Sequence, residues 1–186
     1  MPAVFKNFPV LQTSNLVLRQ LTTNDKQALF NLFSDPAVSS ARERHPFTVI
    51  EESSIMLKQI DDNYRNTTGI RWGIEHRETS ELIGTIGLKS SVPISSHGEG
   101  IIRFELVESE RGKGYMTEAL KPVVDFAMDV IRFHKLSAEF FSDDEAIPHL
   151  LSKVGFELDF KEVRYNASLN SEVHYTIFSI IHPEIH

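Results

Sequence analysis

The 186-residue chain contains no cysteine. Disulfides, thiolate metal sites and a cysteine nucleophile are therefore excluded together. It also lacks any apolar stretch near the roughly 18 residues that a membrane span needs. No cationic segment followed by an apolar run stands at its start, so a soluble, cytoplasmic protein with no membrane partner is expected. Basic residues are in deficit: 19 Lys and Arg face 26 Asp and Glu, for a net charge of -7. That balance argues against nucleic acid as a partner and mildly favours cationic ones, amines among them. The eight histidines are scattered without a His-Glu-x-x-His spacing, so no metal site is expected. Repeats, heptads and low-complexity linkers are absent too. With 41% hydrophobic and 24% charged residues, the chain reads as one domain over residues 1–186 with a sizeable core.

What is present is organised around the run Glu108-Ser109-Glu110-Arg111-Gly112-Lys113-Gly114-Tyr115-Met116-Thr117-Glu118-Ala119-Leu120. A strand-like run, 101–107, precedes it. After it, Met116, Leu120, Val123, Ala127 and Val130 recur at helical spacing. The two glycines thus mark the point where a strand turns into a helix. Glycine accepts positive φ and allows a ligand close to the backbone. The first-turn amides beyond it have no helical partner, and the helix dipole makes that end electropositive. Strand, glycine turn and helix start together suit a diphosphate.

Spacing separates the possible anion cradles. A dinucleotide fingerprint would need a third glycine where Thr117 stands, and a Walker loop would need Ser or Thr after Lys113. Both fail. Arg111 to Ala119 instead resembles the coenzyme A loop of the GNAT acyltransferases, especially the branch that acetylates ribosomal-protein N-termini. Lys153-Val154-Gly155-Phe156 is similar to that family's closing helix signature. The resemblance covers about residues 14–181.

The rest of the chain reads as a mixed α/β domain. Residues 1–14 carry no periodic signal and read as an arm. A strand near 16–21 precedes a helix through Ala28, Leu29, Leu32 and Phe33 that ends before Asp35-Pro36. Residues 37–46 read as loop. Thr48 then caps a helix to about Asn66, with Ile55, Met56 and Ile60 inward. Strands follow at 70–75 and 82–88, then the loop 90–100. Pro122 predicts a kink rather than an end of the cradle helix, since the apolar spacing continues through Ile131. A strand at 136–141, a short helix capped by Asp143-Asp144 and stopped by Gly155, and strands near 157–165 and 173–181 complete the chain. The resemblance implies the GNAT fold: one mixed, twisted sheet of about seven strands with about four helices. The two strands at 101–107 and 136–141 would splay to admit the pantetheine arm.

The same resemblance implies acetyl transfer from acetyl-CoA, the co-substrate, to an amine acceptor by direct attack. The acceptor would be a protein N-terminus or a small molecule, and a homodimer is compatible with the family. Leu106, Val107, Arg111, Gly112, Lys113, Gly114, Tyr115, Met116 and Asp144 would hold the coenzyme. A backbone amide near Val107 would serve as oxyanion donor. Glu105 is the candidate base, because a carboxylate beside the cradle can take the ammonium proton; the other reading pairs it with Arg103 on the same strand face. Glu75, His76, His45 and Arg42 are weaker candidates that read as solvated. Ile147 and Leu151 stand where relatives carry Ser or Tyr, leaving no acid for the departing thiolate, and His149 reads as facing solvent. The second functional reading is therefore a coenzyme A-binding regulatory module with weak or lost turnover.

Overall fold

In a computed structural model, residues 5–40, 45–94, 98–140, 146–167 and 170–184 are described. In chain order the elements are β1 (Leu11–Gln12), β2 (Leu16–Gln20), α1 (Lys26–Ser34), α2 (Pro36–Ser40), α3 (Glu51–Arg65), β3 (Gly69–His76), β4 (Leu82–Lys89) and β5 (Glu99–Leu106). Then come α4 (Tyr115–Asp125), β6 (Lys135–Phe140), α5 (Ala146–Ser152), β7 (Glu157–Asn166) and β8 (Ser171–Ile181). One sheet holds all eight strands in the order β1-β2-β3-β4-β5-β6-β8-β7. Every neighbouring pair is antiparallel except β5 and β6. No helix among the described residues is long and apolar enough to cross a membrane.

Two layers of helix cover the sheet. On one face, Met116, Leu120, Val123 and Ala127 pack with Leu151 of α5 and with Trp72, Ile86, Ile102 and Leu136 of the strands. On the other, Leu29, Leu32 and Phe33 of α1 form a second cluster with Val38 and Met56. Trp72 is fully buried and donates through Nε1 to the Pro9 carbonyl at 2.6 Å. That bond, the short pairing of β1 on β2 and buried Phe5 tie down the segment expected to be an arm. Its signal was only two strand residues long, too short to show periodicity.

Other departures have local causes. Asp35-Pro36 ends α1 as expected but also starts α2: the Asp35 carboxylate accepts the Ala37 amide at 2.8 Å, and proline suits the first helical position. Residues 37–40, read as loop, are therefore helical, and Arg42 lies outside the described residues. In α3 the inward positions are Ser53 and Met56, with Ile60 partly packed, while Ile55 is 58% exposed. Thr48 does not cap that helix: Ile50 stands at the N-cap without a side-chain cap bond, and Glu52 reaches back to accept the Thr48 and Val49 amides that precede it. Beyond Pro122 the helical path continues as a π segment, Phe126–Ile131. Its wider turn changes the phase of the apolar stripe, so Ile131 is buried and Val130 faces solvent. The strand expected to reach 141 ends at Phe140, and residue 141 is outside the described residues.

Candidate active site

The site begins where the sheet opens. The parallel pairing of β5 with β6 stops at Ile102↔Ala138, although β5 runs on to Leu106 and β6 to Phe140. The strands diverge beyond that point, and a cavity of about 810 Å³ occupies the gap. It is lined by Phe104, Glu105 and Leu106 of β5, by Ala138 and Phe140 of β6, by Ile147 and Leu150 of α5, and by Ala37 and Val38 of α2. Arg111, Gly112, Gly114, Tyr115 and Met116 complete its wall. The splay anticipated from residues 101–107 and 136–141 is thus present, and the glycine turn opens into it.

Backbone geometry makes the cradle. Gly112 and Gly114 have φ of 75° and 87°, and a Cβ on either would meet nothing within 4 Å. Their side-chain positions therefore face open space, and the left-handed conformation is what requires glycine. The first α4 bond runs from the Glu118 amide to the Gly114 carbonyl at 3.0 Å, so the amides before it have no acceptor within the helix. Arg111 donates through Nε to the Leu106 carbonyl at 3.2 Å and lies 3.8 Å from Asp35 at the end of α1. Lys113, which is not part of the cavity wall, is exposed and pairs with Glu110 at 3.0 Å. Asp144 lies outside the described residues.

The amide at Val107 is already committed, donating to the Ile83 carbonyl at 2.9 Å. Peptide groups alternate in direction along a strand, so the preceding amide, that of Leu106, turns away from β4 into the gap. Of the amides near Val107, the one that faces the gap is therefore that of Leu106.

Glu105 is buried, its side chain 5% exposed, on the face away from α4 and α5. It does not pair with Arg103. Arg71 of β3 donates to its Oε2 at 2.9 Å, and Thr85 of β4 donates to the same oxygen at 2.6 Å. Arg103 reaches Glu139 of β6 instead, at 3.6 Å. Sequence reasoning missed Arg71 and Thr85. Their signal was a polar residue inside an otherwise apolar strand, Ile70-Arg71-Trp72 and Gly84-Thr85-Ile86.

Glu75 and His76 are partly buried and have partners. Glu75 pairs with Arg19, while His76 Nε2 lies 3.2 Å from the Tyr115 hydroxyl with the rings in T-shaped contact at 5.4 Å. One turn on, Glu118 accepts from Thr13 at 2.5 Å and from the Asn15 amide at 2.7 Å. Burial works to raise the Glu118 carboxyl, but these bonds outweigh it and hold the group below the usual carboxylate range. On α5, Ile147 borders the cavity whereas Leu151 is fully buried in the core. His149 is exposed as expected, but at the cavity rim. His45 is exposed.

Comparison with known proteins agrees with this geometry. Residues 15–157 match the acetyltransferase (GNAT) domain family. The uncharacterized N-acetyltransferase YoaA of Bacillus subtilis is 32% identical over 176 residues, 95% of this chain and 98% of that protein. Among solved structures, the ribosomal-protein-S5-alanine acetyltransferase of Vibrio fischeri superposes with a TM-score of 0.79 at 16% identity, over 96% of this chain and 99% of that one. The spermidine N-acetyltransferase of Vibrio cholerae, solved with CoA and spermine, gives 0.76 at 18% identity, over 93% and 99%. The splayed strands, the glycine turn and a family match over most of the fold lead to one conclusion: this chain belongs to the GNAT acetyltransferases, a family of enzymes.

Proposed function

We propose that the chain moves an acetyl group from acetyl-CoA to an amine, on a protein N-terminus or a small molecule. The observation that carries this reading is the continuity of the glycine cradle with the β5/β6 gap in one cavity. Acetyl-CoA supplies the activated thioester. In the transfer, the acceptor nitrogen bonds to the acetyl carbon, the carbon–sulfur bond breaks with the electron pair leaving on sulfur, and nitrogen loses a proton.

The residues divide this work. Amides from Arg111 to Tyr115 hold the diphosphate, helped by the open positions at Gly112 and Gly114. The Leu106 amide stabilises charge developing on a carbonyl oxygen in the gap. Glu105 accepts the amine proton, directly or through water, held in place by Arg71 and Thr85. That same clamp favours a second reading of Glu105, as a structural anchor joining three strands. No acidic side chain comes from Ile147, but a thiol with a reference pKa of about 8.5 leaves tolerably as its anion near neutrality. The expected product is therefore a working enzyme.

Two fold neighbours act on a ribosomal-protein alanine and on spermidine, which supports an amine acceptor of either size. Free-thiol release from acetyl-CoA, followed against N-terminal peptides, amino acids and polyamines, tests the proposal. Release that depends on the added amine is the expected result. Acetyl-CoA binding without release for any amine would favour the regulatory module.

A further inference from the structure

Among the described residues, the two carboxylates that line the β5/β6 gap, Glu105 and Glu139, are both engaged. Glu105 is taken by Arg71 and Thr85. Glu139 accepts from both terminal guanidinium nitrogens of Arg164, at 3.4 Å each, an arginine that also pairs with Glu162. Arg103 meets that same carboxylate only at 3.6 Å, beyond hydrogen-bond length, and its side chain is 34% exposed. It is also the first residue of β5 past the last pair with β6, so it stands at the opening of the gap. A polyamine would find these two carboxylates engaged. An oxyanion would find a planar guanidinium whose fork matches carboxylate and phosphate.

We infer that the acceptor carries an oxyanion, a carboxylate or a phosphate, close to its reactive amine, and that Arg103 selects it. The inference rests on the acetyl-transfer reading and adds the substrate class. The acceptor enters beneath α2 with its oxyanion on Arg103 and its amine directed toward Glu105, two residues along the same strand face. Both ends of such a molecule meet a complementary group.

Matched acceptors separate the chemistries. Thiol release from acetyl-CoA is measured with phenylalanine against phenylalaninamide, with phosphoethanolamine against ethanolamine, and with spermine. The parent should favour the oxyanion member of at least one matched pair by about tenfold or more in kcat/KM, and the favoured pair names carboxylate or phosphate. Arg103→Gln should collapse that ratio, mainly through KM, and Arg103→Lys, which keeps the charge without the fork, should recover part of it. Melting curves of both variants establish that the protein remains folded. Preference for spermine or the neutral partners, or a ratio unmoved by both substitutions, overturns the inference while leaving acetyl transfer intact. No release with any of the five acceptors, together with no thermal shift from coenzyme A, overturns the acetyl-transfer reading and this inference with it.

Discussion

The cradle end and the throat end of the cavity are made from different materials. The cradle is backbone, contributed by one contiguous turn whose two glycines sit at positive φ. The throat, the end in the β5/β6 gap, is side chains: Arg103, Glu105 and Glu139 line it, with Glu105 held from the neighbouring strands by Arg71 and Thr85 and Arg103 facing Glu139. A backbone site tolerates varied side chains around it, so it suits the constant partner of the reaction. A side-chain site changes with single substitutions, so it suits the partner that differs between relatives.

Substitutions can separate the two ends. The largest throat effect is expected from Glu105→Gln, which preserves shape and removes the proposed base. Turnover should fall by about 100-fold, whereas coenzyme affinity, set at the cradle, should barely change. Because Arg71 loses its buried carboxylate in this variant, rates belong well below its melting midpoint. A rate within about threefold of the parent would assign Glu105 to the structural anchor.

A smaller effect is expected at the cradle's outer fastening. Glu118 ties α4 to Thr13 and Asn15, and its folded pKa lies below the unfolded value. A depressed carboxylate contributes stability above its unfolded pKa, about 4.3, and loses that contribution as pH falls through the folded value. The parent's melting temperature should therefore drop more steeply than that of Glu118→Gln as pH is lowered from 7 to 3. Parallel curves would show that the arm is not held by this charge.

The same division explains what could be read before folding. The glycine turn was legible because its geometry is local: Arg111 to Ala119 lie within nine residues, and the flanking periodicities switch from strand to helix at the glycines. Pro122 was legible as a disturbance, but not as the π segment that moved Val130 outward, because that shift depends on packing after the turn. Glu105 reads in the sequence either as a base or as the partner of Arg103, and the carboxylate is held not by that strand neighbour but by Arg71 and Thr85. Same-face neighbours on one strand are visible in sequence, whereas cross-strand neighbours depend on register. α2 was missed because Asp35-Pro36 reads equally well as an end and as a beginning.

The central claim, that the Gly112–Gly114 turn is a coenzyme cradle, is tested most directly by the melting temperature with and without coenzyme A. At about 100 times its dissociation constant the ligand should stabilise by about 2.7 kcal/mol. For a chain of this size that is a rise of roughly 5–11 °C. Gly114→Val places a β-branched residue at a φ of 87° in the turn and should abolish the rise. A parent melting temperature unmoved by coenzyme A, or a full rise retained in Gly114→Val, would contradict the account.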